Sequence, residues 1–230
     1  MNFLKGYGLM NQSAKHIFKL DPAKPVDDFT LEKIITSKTD MILVSGTDNV
    51  TEENISELLD RIRRFNVFTA LEISHPDAVV PGFNHYFIPT VINTENVTYT
   101  HGMLVDALME YHDFIDYSSI SLMPYIIMNE ECKAFKHAEC TSIGDEEFIA
   151  MIHMLDKLYK MDYIYIEYSG TFGDSALVKE AYDAAEHSKI VYGGGIVSKD
   201  SAAAMKDKSD IIVVGNVIYD NVEQALETII

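Results

Sequence analysis

A carboxylate stands where a buried strand ordinarily carries Val or Ile: Glu167, within Tyr163-Ile164-Tyr165-Ile166-Glu167-Tyr168-Ser169-Gly170. Alternation along a strand puts Tyr163, Tyr165 and Glu167 on one face and Ile164 and Ile166 on the other. A buried carboxylate is costly unless it is paired or used. Glu167 therefore reads either as half of an ion pair, with Lys19 as partner, or as a general base whose pKa is tuned by its surroundings; the residues alone leave both readings open. Two glycine-bearing strand ends follow, Tyr192-Gly193-Gly194-Gly195-Ile196 and Val213-Val214-Gly215-Asn216. Such glycines let backbone N–H groups approach an anion closely, and in a barrel the ends of the last two strands commonly hold phosphate. The plainer alternative is that they only turn the chain. Near the N-terminus, Lys19 and Asp21 share one face of a short strand that stops at Pro22. Asp21 with Thr47 would offer hard oxygen ligands to Mg²⁺, whereas an Asp before Pro is also an ordinary turn residue.

Positioning these residues requires strand ends gathered at one face. The segment 16–22 reads as a strand that stops at its proline, 28–37 as a helix, and the apolar run 41–44 as a strand buried on both sides. Thr51 caps a helix carrying Ile55, Leu58, Leu59 and Ile62 at helical spacing. Strands follow at 67–73 and 85–89, but Pro76, Pro81 and Gly82 between them exclude a packed helix. Further on come a helix at 102–112, a strand at 120–128, a long polar loop at 129–144 and an amphipathic helix at 146–159. The strand bearing Glu167 leads to a helix at 176–187, a strand at 190–193, a helix that Ser198 caps, a strand at 211–215 and a last helix. Eight strands alternating with helices predict an α/β protein, a (β/α)8 TIM barrel formed as one domain over residues 1–230, with an open doubly wound sheet as the alternative. The third helix is replaced by a loop, and the apolar strip that this leaves is expected to be uncovered and able to hold an elongated ligand. Residues 1–14 read as a poorly ordered extension.

A formal net charge of −18 argues against non-specific nucleic-acid binding and against anchoring on anionic membranes, because both need clustered Lys and Arg. An anionic ligand then needs a local receptor. Cys132 and Cys140 match no zinc spacing and read as reduced thiols, and no apolar run is long enough to span a membrane. A cytoplasmic protein without transmembrane anchoring is the expectation.

Lys19-Leu20-Asp21-Pro22, Ser45-Gly46-Thr47-Asp48 before Val50-Thr51-Glu52, Pro81-Gly82-Phe83, the Tyr165 to Gly170 run and both glycine-bearing strand ends together resemble the prenylglyceryl phosphate synthase family. Within it they are most similar to the bacterial PcrB-type branch, in which the first glycine of the metal loop is here Ser45. The resemblance implies a Mg²⁺-dependent prenyltransferase joining a polyprenyl group, heptaprenyl or geranylgeranyl, from its diphosphate to the 3-hydroxyl of sn-glycerol 1-phosphate. It implies that Lys19, Tyr165, Ile166, Glu167, Tyr168, Ser169, Gly170, Gly194, Gly195, Gly215 and Asn216 hold glycerol phosphate, that Glu167 is catalytic, and that Asp21 and Thr47 bind Mg²⁺. It also implies a homodimer and peripheral contact with a membrane for product release. The absence of Trp removes one side chain that could block a long groove. A phosphosugar isomerase or lyase barrel and a non-catalytic metabolite-binding barrel remain as rival readings, since a fold does not fix a chemistry.

Overall fold

The computed structural model describes residues 14–75 and 78–230. Eight parallel strands close on one another in sequence order: β1 (His16–Leu20), β2 (Met41–Val44), β3 (Thr69–Glu72), β4 (His85–Val91), β5 (Ile120–Ile127), β6 (Tyr163–Glu167), β7 (Lys189–Gly193) and β8 (Ile211–Val214). The ring is shut by β8 pairing with β1, Ile17 lying opposite Val213. The barrel is the arrangement expected from the alternation; the open sheet is excluded. The extension proposed for residues 1–14 falls, Ala14 apart, outside the described residues.

Alternation divides the apolar residues between two layers. Inside the barrel lie Ile17, Leu43, Ala70, Phe87, Tyr163, Tyr165 and Val191, while Phe18, Leu20, Leu71, Ile164 and Ile166 point outward beneath the helices. Helices α1 (Asp28–Ile35), α2 (Glu52–Ile62), α3 (Met103–Tyr111), α4 (Lys133–His137), α5 (Asp145–His153), α6 (Ser175–Ala184), α7 (Lys199–Met205), α8 (Val217–Asp220) and α9 (Val222–Glu227) make up the outer ring. Several start where the side chains dictate. Asp27 caps α1, Thr51 caps α2 in a reciprocal capping box with Asn54, and Asp174 caps α6.

Among the described residues, no α-helix joins β3 to β4, as the prolines require. The strip so exposed is nevertheless covered. Ala78, Val80 and Phe83 of the connecting loop are buried in the same cluster as Leu58, Leu59 and Leu71. The Tyr86 hydroxyl accepts from the Gly82 N–H at 3.0 Å and donates to the Val80 carbonyl at 3.1 Å, which pins the loop down. The expectation of an uncovered strip is thus corrected: a loop with apolar residues at the right spacing buries the sheet as a helix would. A second difference lies in the polar segment 129–144, which contains the short helix α4. The Cys132 sulfur caps it by accepting from the Phe135 N–H at 3.3 Å. Five residues are too few to show a period, and Cys is not a usual cap.

Candidate active site

At the C-terminal ends of the strands a cavity of about 830 Å³ opens, the position at which barrels of this kind carry their sites. Lys19, Asp21, Thr47, Tyr165, Glu167, Ser169, Gly170, Gly194, Gly195, Gly215 and Asn216 all line it. Ile166 and Tyr168 do not. Their position in the alternation turns them to the outer layer, where Tyr168 lies against Tyr192 with ring centroids 6.1 Å apart.

Glu167 is buried, 4% exposed, at the last position of β6. Its Oε1 accepts the Ser169 N–H at 2.6 Å. Burial raises its pKa above the usual carboxylate range, against the opposing pull of the Lys19 ammonium. Lys19, near the end of β1, keeps 24% of its side chain exposed and points its ammonium into the cavity, 3.5 Å from Oε1 of Glu72. Burial works against that charge, yet the Glu72 and Glu167 carboxylates outweigh it and raise the Lys19 pKa.

Below the ammonium, Tyr125 and Tyr165 stack with centroids 4.3 Å apart and rings 17° from parallel. Lys19 Nζ lies 5.9 and 5.7 Å from the two centroids, within cation–π reach of both rings. Burial drives both phenols well above their ordinary pKa, so each hydroxyl stays neutral. Neither Glu72 nor Tyr125 was singled out in the sequence. Alternation in β3, Ala70 in and Leu71 out, was the signal that would have directed Glu72 inward.

The glycines differ in what they permit. At Gly193 a side chain would collide with the Tyr165 ring, its Cβ falling 2.7 Å from Cζ, so this glycine makes room for the tyrosine. Gly195 has φ +57°, a conformation that L side chains rarely adopt. At Gly215 the nearest protein atom to a Cβ is the Lys19 carbonyl oxygen, 3.6 Å away. Packing therefore does not demand glycine there, and the open space belongs to the cavity.

The β1 and β2 ends meet closely. A Cβ on Gly46 would lie 2.6 Å from Oδ1 of Asp21 and 2.8 Å from Cγ2 of Val50, so the 45–48 loop rests directly against this carboxylate. Asp21 and Thr47, both lining this cavity, carry a carboxylate and a hydroxyl, oxygen donors of the kind Mg²⁺ takes from protein while drawing its remaining ligands from phosphate and water. The donor set fits. Among the described residues no group of three His, Cys, Asp or Glu side chains forms a fuller metal cage. The opposite wall is apolar: Pro89, Val91, Tyr99, Met103, Ile127 and Ala134 extend the cavity along the β4 and β5 ends towards α3 and α4. Lys133 of α4 pairs with Asp48 and ties this roof to the 45–48 loop.

Set beside known proteins, the sequence matches the PcrB family over residues 10–230. It is 44% identical over 216 residues to the heptaprenylglyceryl phosphate synthase of Bacillus pumilus, covering 94% of both chains. With the heptaprenylglyceryl phosphate synthase of Geobacillus thermodenitrificans it is 43% identical over 216 residues, 94% of this chain and 90% of that one. In fold it is similar to the crystal structure of (S)-3-O-geranylgeranylglyceryl phosphate synthase from Thermoplasma acidophilum in complex with sn-glycerol-1-phosphate. The TM-score is 0.82 at 20% identity, with 94% of this chain and 92% of that one covered.

Proposed function

The chain belongs to the PcrB family, and from that premise we propose that it transfers a long polyprenyl group, heptaprenyl, from its diphosphate to the 3-hydroxyl of sn-glycerol 1-phosphate. The observation that carries this reading is the meeting, in one cavity, of a buried carboxylate, an ammonium over stacked tyrosines, and an apolar wall. The relatives named heptaprenylglyceryl phosphate synthase support it, and so does the sn-glycerol-1-phosphate complex of the Thermoplasma acidophilum enzyme.

In this reading the phosphate of sn-glycerol 1-phosphate rests on the backbone of residues 193–195 and 215–216, with Ser169, Gly170 and Lys19 around the glycerol. The allylic C–O bond breaks and the diphosphate leaves with its electron pair. The electron-rich faces of Tyr125 and Tyr165 favour the positive charge that develops on the allylic carbon, and Lys19 offsets charge on the phosphates. The glycerol oxygen forms the new C–O bond, and Glu167 takes the hydroxyl proton. A carboxylate whose pKa is raised by burial is a stronger base than an exposed one, which suits that step. Mg²⁺, held by Asp21 and Thr47, would neutralise the diphosphate and ease its departure. Each buried methylene contributes about 0.8 kcal/mol, so the apolar wall supplies donor affinity in proportion to tail length.

The reading extends to assembly and location. Val105, Met109, Phe114 and Tyr117 on and after α3 are exposed, Phe114 by 86%, and we assign this face to a homodimer contact. No helix among the described residues is long and apolar enough to cross a membrane. A cytoplasmic enzyme that releases its long-tailed product at a membrane surface fits the reading.

The test is turnover with Mg²⁺, labelled sn-glycerol 1-phosphate and a ladder of polyprenyl diphosphates. Product that peaks at the heptaprenyl donor is the expected result, whereas a peak at geranylgeranyl would reassign the tail. No product with any donor, despite measurable glycerol phosphate binding, would return the chain to the isomerase or binding-barrel readings.

A further inference from the structure

Three donors from three strand ends converge on one buried carboxylate that the reaction outlined above does not use. Glu72 closes β3, is 8% exposed and lines the cavity. Its Oε1 accepts from the Ser45 hydroxyl at 2.5 Å and faces the Lys19 ammonium at 3.5 Å. Its Oε2 accepts from the Tyr125 hydroxyl. One ammonium thus stands between two buried carboxylates, and their surroundings differ. Both oxygens of Glu72 are occupied by donors from other strand ends, whereas Glu167 is hydrogen-bonded by Ser169, two residues on, whose N–H reaches Oε1.

We propose that Glu72 is a positioning residue for prenyl transfer: it anchors the Lys19 ammonium over the Tyr125–Tyr165 stack, ties the 45–48 loop to that anchor through Ser45, and so leaves Glu167 free to act as the base. The inference rests on the prenyl-transfer reading and deepens it. Its logic is one of counting. Lys19 carries a single charge, and were Glu72 absent, that charge would have Glu167 as its remaining buried carboxylate partner and would weaken it as a base. A neutral apolar residue at position 72 would also strand the Ser45 and Tyr125 hydroxyls. Ser45 belongs to the same arrangement, since a glycine at this position would have no hydroxyl to fasten the loop to Glu72.

The groups facing Glu167 are Lys19 from β1, Glu72 from β3, Tyr125 from β5, Tyr165 from its own strand, Tyr192 from β7 and Cys132 beside α4. Of these, Lys19 and Glu72 act on Glu167 in opposite directions: Lys19 lowers its pKa and Glu72 raises it. Replacing Glu72 by Gln removes the raising influence and gives the lowering one over to Glu167. Gln has one acceptor oxygen for the three donors, so the anchor is lost while the volume is kept.

The experiment compares wild type, Glu72→Gln and Glu72→Asp for kcat, KM and the pH profile of kcat with the heptaprenyl donor, beside thermal unfolding. In Glu72→Gln, kcat falls at least about tenfold, the scale of one lost charge-assisted hydrogen bond, and the acidic limb of the profile moves to lower pH. Glu72→Asp keeps the charge but withdraws it by one methylene, so the limb moves the same way by less; this variant carries the test should Gln fail to fold. A limb that stays in place, or moves to higher pH, in whichever variant folds overturns the proposal, as does a loss of thermal stability with unchanged kcat. If wild type itself makes no product, the prenyl-transfer reading falls instead. The pH dependence of sn-glycerol 1-phosphate binding, read by calorimetry, then reports the same limb, with the same shift supporting the anchor and an unmoved one refuting it.

Discussion

Replacing Gly215 and Gly193 by Ala, one at a time, separates a glycine that serves the ligand from one that serves the fold. At Gly215 the backbone is not in the left-handed region, and the nearest protein atom to an added Cβ is 3.6 Å away, an ordinary contact. Folding stability should therefore stay within about 0.5 kcal/mol of wild type. The methyl group would occupy cavity space where a phosphate must come within hydrogen-bond reach of the backbone. Losing one hydrogen bond to a charged group costs about 1.5–3 kcal/mol, or roughly a ten- to 150-fold rise in Kd. At Gly193 the situation reverses. An added Cβ would lie 2.7 Å from Cζ of Tyr165, and that ring is held by its stack with Tyr125 and is 2% exposed, so it has nowhere to move. Overpacking of this kind costs about 1–3 kcal/mol, and in a chain of this size each kcal/mol lowers Tm by about 2–4 °C. The assay pairs titration calorimetry of sn-glycerol 1-phosphate with thermal unfolding. Gly215→Ala should lose affinity and keep its Tm, and Gly193→Ala should lose Tm. A Gly215→Ala protein that binds sn-glycerol 1-phosphate as wild type does would refute the assignment of the β8 end to the phosphate.

Glu167→Gln should retain sn-glycerol 1-phosphate binding while kcat falls by about 10²–10⁴-fold, the range for a lost general base; equal turnover would remove Glu167 from that role. Because burial raises the Glu167 pKa, and the base works only when deprotonated, wild-type kcat should rise with pH through a limb lying above the ordinary carboxylate range. Asp21→Ala should raise the Mg²⁺ concentration needed for half-maximal turnover, and an unchanged titration curve would free Asp21 from the metal. His16, at the opposite end of the barrel, sits between the Thr39 and Thr228 hydroxyls, each 3.0 Å from a ring nitrogen, and burial lowers its pKa from 6.5 to about 4. Between those values the unfolded chain binds the extra proton, so stability should increase with pH across that window by up to about 3 kcal/mol. Denaturant unfolding at a series of pH values should show a smaller increase in His16→Gln, and an identical slope in both proteins would contradict the burial argument.

The order of strands and helices was legible because it follows from local periodicity and from breakers. Period-two runs at β1 and β6, the apolar run of β2, and the prolines after β3 each state their element without reference to the rest of the chain. The same local rules placed Lys19 and Glu167 on inward faces, and sent Ile166 and Tyr168 outward, although the motif they share had grouped all of them as ligand contacts. Glycine at 193–195 and 215 was also legible as backbone that approaches something, but not what it approaches. That Gly193 yields to Tyr165 while Gly215 faces open cavity depends on neighbours from other strands.

What only the tertiary structure decided is the set of partners. The Glu72 cluster takes its donors from β1, β5 and the loop after β2, so Lys19 and Glu72 meet across 53 positions of sequence and Tyr125 and Glu72 across another 53. Periodicity tells which face a residue occupies; the closure of the barrel and the register of its strands tell which residues share a height and touch. The roof helix α4, and the loop that buries Ala78, Val80 and Phe83, likewise owe their form to surfaces beneath them rather than to patterns of their own. The amino-acid sequence by itself thus determined the alternation of strands and helices, the inward carboxylate and the glycine-bearing strand ends, because these rest on interactions within a few residues. Whether Glu167 is pair or base turns on how the Lys19 charge is shared between it and Glu72, an electrostatic balance that exists only once strand ends distant in sequence are brought into one low-dielectric cavity.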